Sequence, residues 1–299
     1  DHKTFLSSVA PADRALLTET DDATGLRHLA GHAGLITVLA LWVGFGLPLW
    51  PVALWLLGIA LAFLFTLQHE CTHRTPFRTH WINELAGHAT GLILIQPFEW
   101  FRAFHMAHHR FTNDPDRDPE LEGDPKPDTW PAMLRHLCGI DYWRAKVAVL
   151  LSNAGGGDDA PYLAGRVRPR IQREALAMIA AYSGALGFTV FVSPILIWIW
   201  VLPLVLGFPV LRLYLLAEHG RCPAVADMFD NTRTTLTNKA VRFLAWNMPY
   251  HAEHHAWPTV PFHKLPALHA HVRPHLKQVS QGYRHFTSDY VGAFGGDRD

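Results

Sequence analysis

The chain has 299 residues, 26 Lys plus Arg against 26 Asp plus Glu, and 49% hydrophobic residues. The balanced charge leaves no electrostatic footprint for nucleic acid. The apolar residues are gathered in blocks, which separates the chain from a soluble domain of ordinary average composition.

Residues 1–28 form a polar N-terminal arm, and no cleavable signal is expected because the apolar run that follows is long enough to span a bilayer. Two apolar runs, 29–50 and 51–68, are divided by a turn bounded by Pro48 and Pro51. About 18 to 20 helical residues rise roughly 27 to 30 Å, the thickness of one hydrocarbon core. A second pair, 175–192 and 194–211, is joined by another short proline-containing turn. Neither 29–68 nor 175–211 contains a Lys, Arg, Asp or Glu. Buried helices of one large soluble domain would show a polar face, so that alternative is disfavoured. The spacing therefore predicts an all-α integral membrane chain with four transmembrane helices arranged as two hairpins. A fifth stretch, 86–98, carries His88 and two glycines and is too short to span, so it is expected to lie in the interface.

Between and after the hairpins lie two polar segments, 69–174 and 212–299, that would form a cytosolic helical cap. HECTH (His69, His73) follows the second span directly and would continue its helix. HMAHH (His105, His108, His109) follows the interfacial stretch, and HAEHH (His251, His254, His255) lies in the tail. Residues 112–131, TNDPDRDPELEGDPKPDTWP, read as loop; their acids lack the spacing of a calcium-binding EF-hand. Residues 152–159 are a glycine-containing link, and the RVRPRIQR segment that follows, 166–173, enforces topology or docks an acidic partner.

Imidazoles at i and i+4, or at i, i+3 and i+4, fall on one helical face and can aim neutral nitrogens at one point. Eight such ligands suffice for two metal ions. HECTH also satisfies HExxH, in which the glutamate is the general base of a zinc protease, but that reading leaves the other six histidines unexplained. A metal store or transporter would need polar groups inside the spans. Histidine-rich ligation suits Fe(II), whereas the soluble carboxylate di-iron bundle needs two Glu-x-x-His pairs and this chain has one, Glu70 to His73. Ligating imidazoles usually give their other N–H to a carboxylate; Glu70, Glu218, Glu253 and Asp118 are placed for it. Cys71, Cys138 and Cys222 form no CxxC, so neither a disulfide framework nor a rubredoxin-like module is present; Cys71 is expected to pack beside the ligands.

In order and spacing, the three boxes HxxxH, HxxHH and HxxHH resemble the membrane fatty acid desaturase and hydroxylase superfamily, over most of the chain from Leu29 to the PFHKLP segment. HHRFTNDPDRDPE is similar to the continuation of the second box in bacterial members, and HAEHHAWPTVPFHKLP is similar both to acyl-lipid desaturases and to carotenoid ketolases. The resemblance implies a single domain holding two iron ions (Fe2+/Fe3+), with O2 as cosubstrate, that desaturates or hydroxylates an aliphatic C–H bond of a fatty acyl or lipid-like substrate. A carotenoid ketolase or hydroxylase is the alternative. It further implies that His219, just beyond the last span, is a ninth ligand. In acyl-CoA desaturases a metal-associated Asn lies one turn earlier, where this chain has Leu215. His88 is the non-ligand histidine expected to line the substrate path.

No haem-binding HPGG, flavin or nicotinamide fingerprint is present, so electrons must come from a ferredoxin, rubredoxin or b-type cytochrome with its reductase. All Lys and Arg lie outside the spans and their turns, which places both termini and all boxes on the cytosolic side of a bacterial inner membrane. Cysteines introduced into the 48–51 and 193–194 turns are accordingly expected to label from outside the cell, and cysteines at Asn113 or Ser288 are not. External labelling at Asn113 would overturn the double hairpin.

Overall fold

The computed structural model describes residues 1–123, 125–157 and 160–294. It is predominantly helical, and four helical segments are long and apolar enough to cross a membrane: Pro11–Gly44, Trp50–His73, Arg168–Phe191 and Ile197–His219. The first becomes one regular helix at Asp22–Gly44, seven residues ahead of the apolar run. Asp21 starts it early by accepting hydrogen bonds from the Ala23 and Thr24 amides. The second consists of Trp50–Ala62 and Leu64–His73, with a slight break at Phe63, and it does carry the first histidine box at its end. It stops at Arg74, which adopts a left-handed conformation (φ 60°) two residues before Pro76.

The fourth span opens with a π-helical turn, Ile197–Val201, and continues as Leu202–His219 despite Pro209 inside it. His219 therefore sits on the last turn of a span rather than beyond it. The 86–98 stretch belongs to a helix, His80–Leu94, of 15 residues that starts earlier than hydropathy alone suggests.

Three helices lie where none was expected. The acidic 112–131 loop contains a short one, Pro119–Gly123, because Asp118 accepts the Glu120 amide ahead of a proline-started turn. Trp130–Cys138 and Ile140–Ala154 follow, separated by Gly139 at φ 67°. The second of these takes up the first part of the expected 152–159 link, residues 155–157 form turns, and Asp158 and Asp159 lie outside the described residues. The β structure among the described residues is one parallel pair, Thr234–Thr235 with Val279–Ser280, which ties the tail to the segment ahead of the third box.

The second and fourth spans touch backbone to backbone. A Cβ on Gly58 would meet the Pro203 carbonyl oxygen at 1.9 Å, and one on Gly207 would meet the Gly58 carbonyl carbon at 2.0 Å. Small residues that permit such an approach are the usual means of helix association in lipid. Eleven residues separate Gly58 from His69 and twelve separate Gly207 from His219. At 1.5 Å per residue, both histidines stand roughly 17 Å beyond the crossing. The crossing thus sets box one and His219 at one height. Gly58→Val and Gly207→Val are expected to lower stability at the upper end of the roughly 1–3 kcal/mol that overpacking costs, and to lower metal content with it. Gly34→Val, where a Cβ meets nothing within 4 Å, is the control; thermal melts of the three purified variants check this.

Candidate metal centre

Each histidine box is positioned by a different device. Box one rides on the end of the second span. Box two lies on Phe98–Phe111, whose first turn leaves amides unpaired within the helix. The Glu174 carboxylate, at the start of the third span, accepts the Phe98 and Glu99 amides at 2.7 and 2.8 Å and His88 Nδ1 at 2.7 Å. A carboxylate at a helix N-terminus is favoured by the helix dipole as well. Box three forms the short buried helix His251–Ala256. Thr112 ties it to box two: its hydroxyl bonds the His108 carbonyl at 2.8 Å and lies 3.1 Å from His255 Nδ1.

These devices bring all eight box histidines and His219 together. Ligand atoms of His69, His73, His105, His109 and His254 lie within 4.8 Å of one another, as do those of His108, His219 and His255. His251 joins the second group through its Nε2, 3.2 Å from His219 Nε2. The groups abut where His109 and His255 stack, with ring centroids 4.0 Å apart.

Ring nitrogens face one another at 2.9 Å (His73 and His105) and 3.3 Å (His108 and His219). Among the described residues, both nitrogens of His69, His109 and His254 are buried with no hydrogen-bond partner, as are His251 Nδ1 and His255 Nε2. A protein of this size ordinarily pairs its buried polar atoms, and so many orphaned nitrogens around two points fit a pair of cations. Burial first, and then the neighbouring imidazoles, holds His105, His109, His254 and His255 well below the ordinary histidine range, so they are neutral and offer lone pairs.

Carboxylates back several of these rings. Asp118 accepts from His108 Nδ1 at 2.9 Å, Glu218 lies 3.4 Å from His251 Nδ1, and Glu70, fully buried, lies 3.4 Å from His254 Nδ1 while Thr75 donates to its other oxygen at 3.1 Å. Burial lowers His108, but Glu120 and Asp118 outweigh it and the net shift is upward. Glu253 turns elsewhere, to His269 and Thr234, and touches no box histidine. Cys71 is fully buried beside box one and is not among the clustered ligand atoms. His88 pairs with Glu174 and lines a separate shallow cavity, not the one that reaches the histidines.

That cavity, about 210 Å³, is lined by box histidines (His69, His105, His108, His251) and by Trp100, Phe101, Tyr142, Lys146 and Leu215 among others. Two of its residues carry no sequence signal. Glu120 Oε2 lies 3.3 Å from His108 Nε2, so a carboxylate stands beside the second histidine group in the region where Leu215 supplies no donor. Lys146 is buried on an unforeseen helix. Nothing in their local sequence patterns sets either apart from an ordinary surface acid or base.

The chain matches the family described as fatty acid desaturase over residues 46–287. It is 28% identical to an sn-1 oleoyl-lipid 12-desaturase of Picosynechococcus sp. over 76% of this chain and 69% of that protein. It is 26% identical to an acyl-lipid 8-desaturase of Rebecca salina over 73% and 55%, and 25% identical to a dihydrorhizobitoxine desaturase of Bradyrhizobium elkanii over 82% and 72%. The matched span holds all three histidine boxes and three complete apolar helices. On that match, together with the clustered imidazoles, the chain belongs to the fatty acid desaturase family, as an integral membrane oxidoreductase.

Proposed function

We propose that this chain is an O2-dependent, non-haem di-iron enzyme that desaturates or hydroxylates an aliphatic C–H bond of a fatty-acyl-type substrate at the cytosolic face of the membrane. The observation that carries the reading is the division of nine imidazoles into groups of five and four around two adjacent points. His69, His73, His105, His109 and His254 would hold one iron, and His108, His219, His251 and His255 the other. When bound, the irons supply the oxidising chemistry that breaks an unactivated C–H bond. Desaturation removes two hydrogens and, with O2, two electrons and two protons, gives an alkene and two waters; hydroxylation gives an alcohol and one water. The relatives named as desaturases favour the former.

The protein's own groups orient and exclude. Asp118 bonds Nδ1 of His108, and Glu218 and Glu70 stand 3.4 Å from Nδ1 of His251 and His254, so Nε2 of each would be the nitrogen turned to the iron. Glu120 stands close enough to add a carboxylate to the second group. Phe65, Trp100, Phe101 and Phe104 line the cavity wall and keep water from the reacting carbon. Electrons would come from an external ferredoxin, rubredoxin or b-type cytochrome system; a relative in Nostoc, 32% identical over 65 residues, is named as a ferredoxin-dependent omega-3 desaturase.

Protein purified without oxygen is expected to contain close to two irons per chain, and alanine at any of the eight box histidines should lower metal content and abolish activity. Full activity in two or more of those variants would sink the assignment. Glu70 separates this reading from an HExxH zinc protease. One of its oxygens accepts from Thr75 and the other faces His254 Nδ1 at 3.4 Å, so Glu70→Gln should cost only about 10- to 100-fold and retain O2-dependent product formation. In a protease the same change would remove the general base and nearly eliminate turnover. Complete loss with both metals in place, together with peptide cleavage that needs no O2, would overturn the oxidase reading.

A further inference from the structure

The cavity that the box histidines line also contains a cation without an anion among the described residues. Lys146 is 9% exposed, and among the described residues it has neither a hydrogen-bond nor an ion-pair partner. Its Nζ lies 4.8 Å from the ring centroid of Tyr142, 5.1 Å from Trp100 and 5.9 Å from Phe101. Three aromatic faces stabilise an ammonium but do not neutralise it. Burial, aggravated by Arg212, pulls its pKa down to about 7, which measures how poorly this wall tolerates the charge as it stands. On the same wall the Trp100 indole N–H is buried without an acceptor.

The acids of the cavity have other partners. Glu120 is bonded by Lys126 at 2.9 Å, Asp141 by Arg135 at 2.5 and 2.7 Å, and Glu218 lies against His251. Arg212 is engaged with the carbonyl and ring of His136. Lys146 is thus the cation of this cavity that the fold leaves for something that enters it. One aromatic ring stands between it and the metal centre, since Phe101 also stacks on His105 at 5.5 Å.

We propose that Lys146 binds the free carboxylate of the substrate, so that the enzyme oxidises a compact unesterified acid and not an acyl chain esterified in a lipid. This rests on the reading of the cavity as the substrate site of an oxidase. The Lys146 ammonium shares the Tyr142 ring with the Arg212 guanidinium, which bonds His136, and the anion that a fatty-acyl-type acid brings to such a place is its carboxylate. The cavity, at about 210 Å³, falls below the roughly 300 Å³ at which pockets for drug-sized ligands begin, which also favours a short molecule.

Equilibrium binding tests this apart from turnover. Full-length, iron-loaded protein in detergent, kept free of oxygen and reductant, would be titrated with decanoate, methyl decanoate and decyl phosphate. Decanoate is expected to bind about 10- to 100-fold more tightly than the ester, the factor of a charge-assisted hydrogen bond. In Lys146→Met the acid and the ester should bind equally, and Lys146→Arg should restore the preference, with iron content and melting temperature retained in both. Equal binding of acid and ester by the wild type, tighter binding of decyl phosphate, or an acid preference that survives Lys146→Met would each overturn the proposal. If the binding pattern holds but no acid is oxidised with O2 and reductant, the oxidase reading fails while the carboxylate site stands.

Discussion

The rest of the structure is organised around bringing together nine imidazoles. Buried ring nitrogens without a hydrogen-bond partner among the described residues, crowded against others that face at 2.9 to 3.3 Å, are costly in a bare protein. The surrounding scaffold has to hold them there regardless. It does so from four separate stretches of chain: the ends of the second and fourth spans, the box-two helix, and the short box-three helix.

Rigidity comes from contacts that have no slack. Gly58 and Gly207 bring two spans into backbone contact, so the helix ends bearing box one and His219 cannot shift independently. Glu174 seats the start of the box-two helix, and Thr112 and Asn231 tie its far end: the Asn231 side chain donates to the Thr112 carbonyl at 3.1 Å. The parallel pair of Thr234–Thr235 with Val279–Ser280 anchors the chain ahead of box three, and Glu253 completes that anchor through Thr234 and His269. Glu253 is thus tied to the frame of the box, while Glu70, Glu218 and Asp118 are the carboxylates that face box imidazoles.

The cavity beside the histidines is built from the same elements but mixed in chemistry. Imidazoles and carboxylates line it together with aromatic rings, three of which face the Lys146 amine. The aromatic rings make much of the lining apolar, and Lys146 sets one basic group among them.

Much of this protein was legible in the sequence because the signals are periodic and local. Charge-free runs of about 18 residues announce spans, and imidazoles at i, i+3 and i+4 announce a shared helical face whatever surrounds them. Glu70, Glu218 and Asp118 could be singled out by their nearness to boxes and span ends, and His219 by the family resemblance. The sequence could not apportion nine histidines into five and four, since His108 and His109 are neighbours in the chain yet belong to different groups. Nor could it turn Glu253 away from the box it sits in, seat box two on Glu174, or set Lys146 on the cavity wall. Each of those depends on side chains tens to hundreds of residues apart, and pairing at that range is decided by how the helices pack and not by any local pattern.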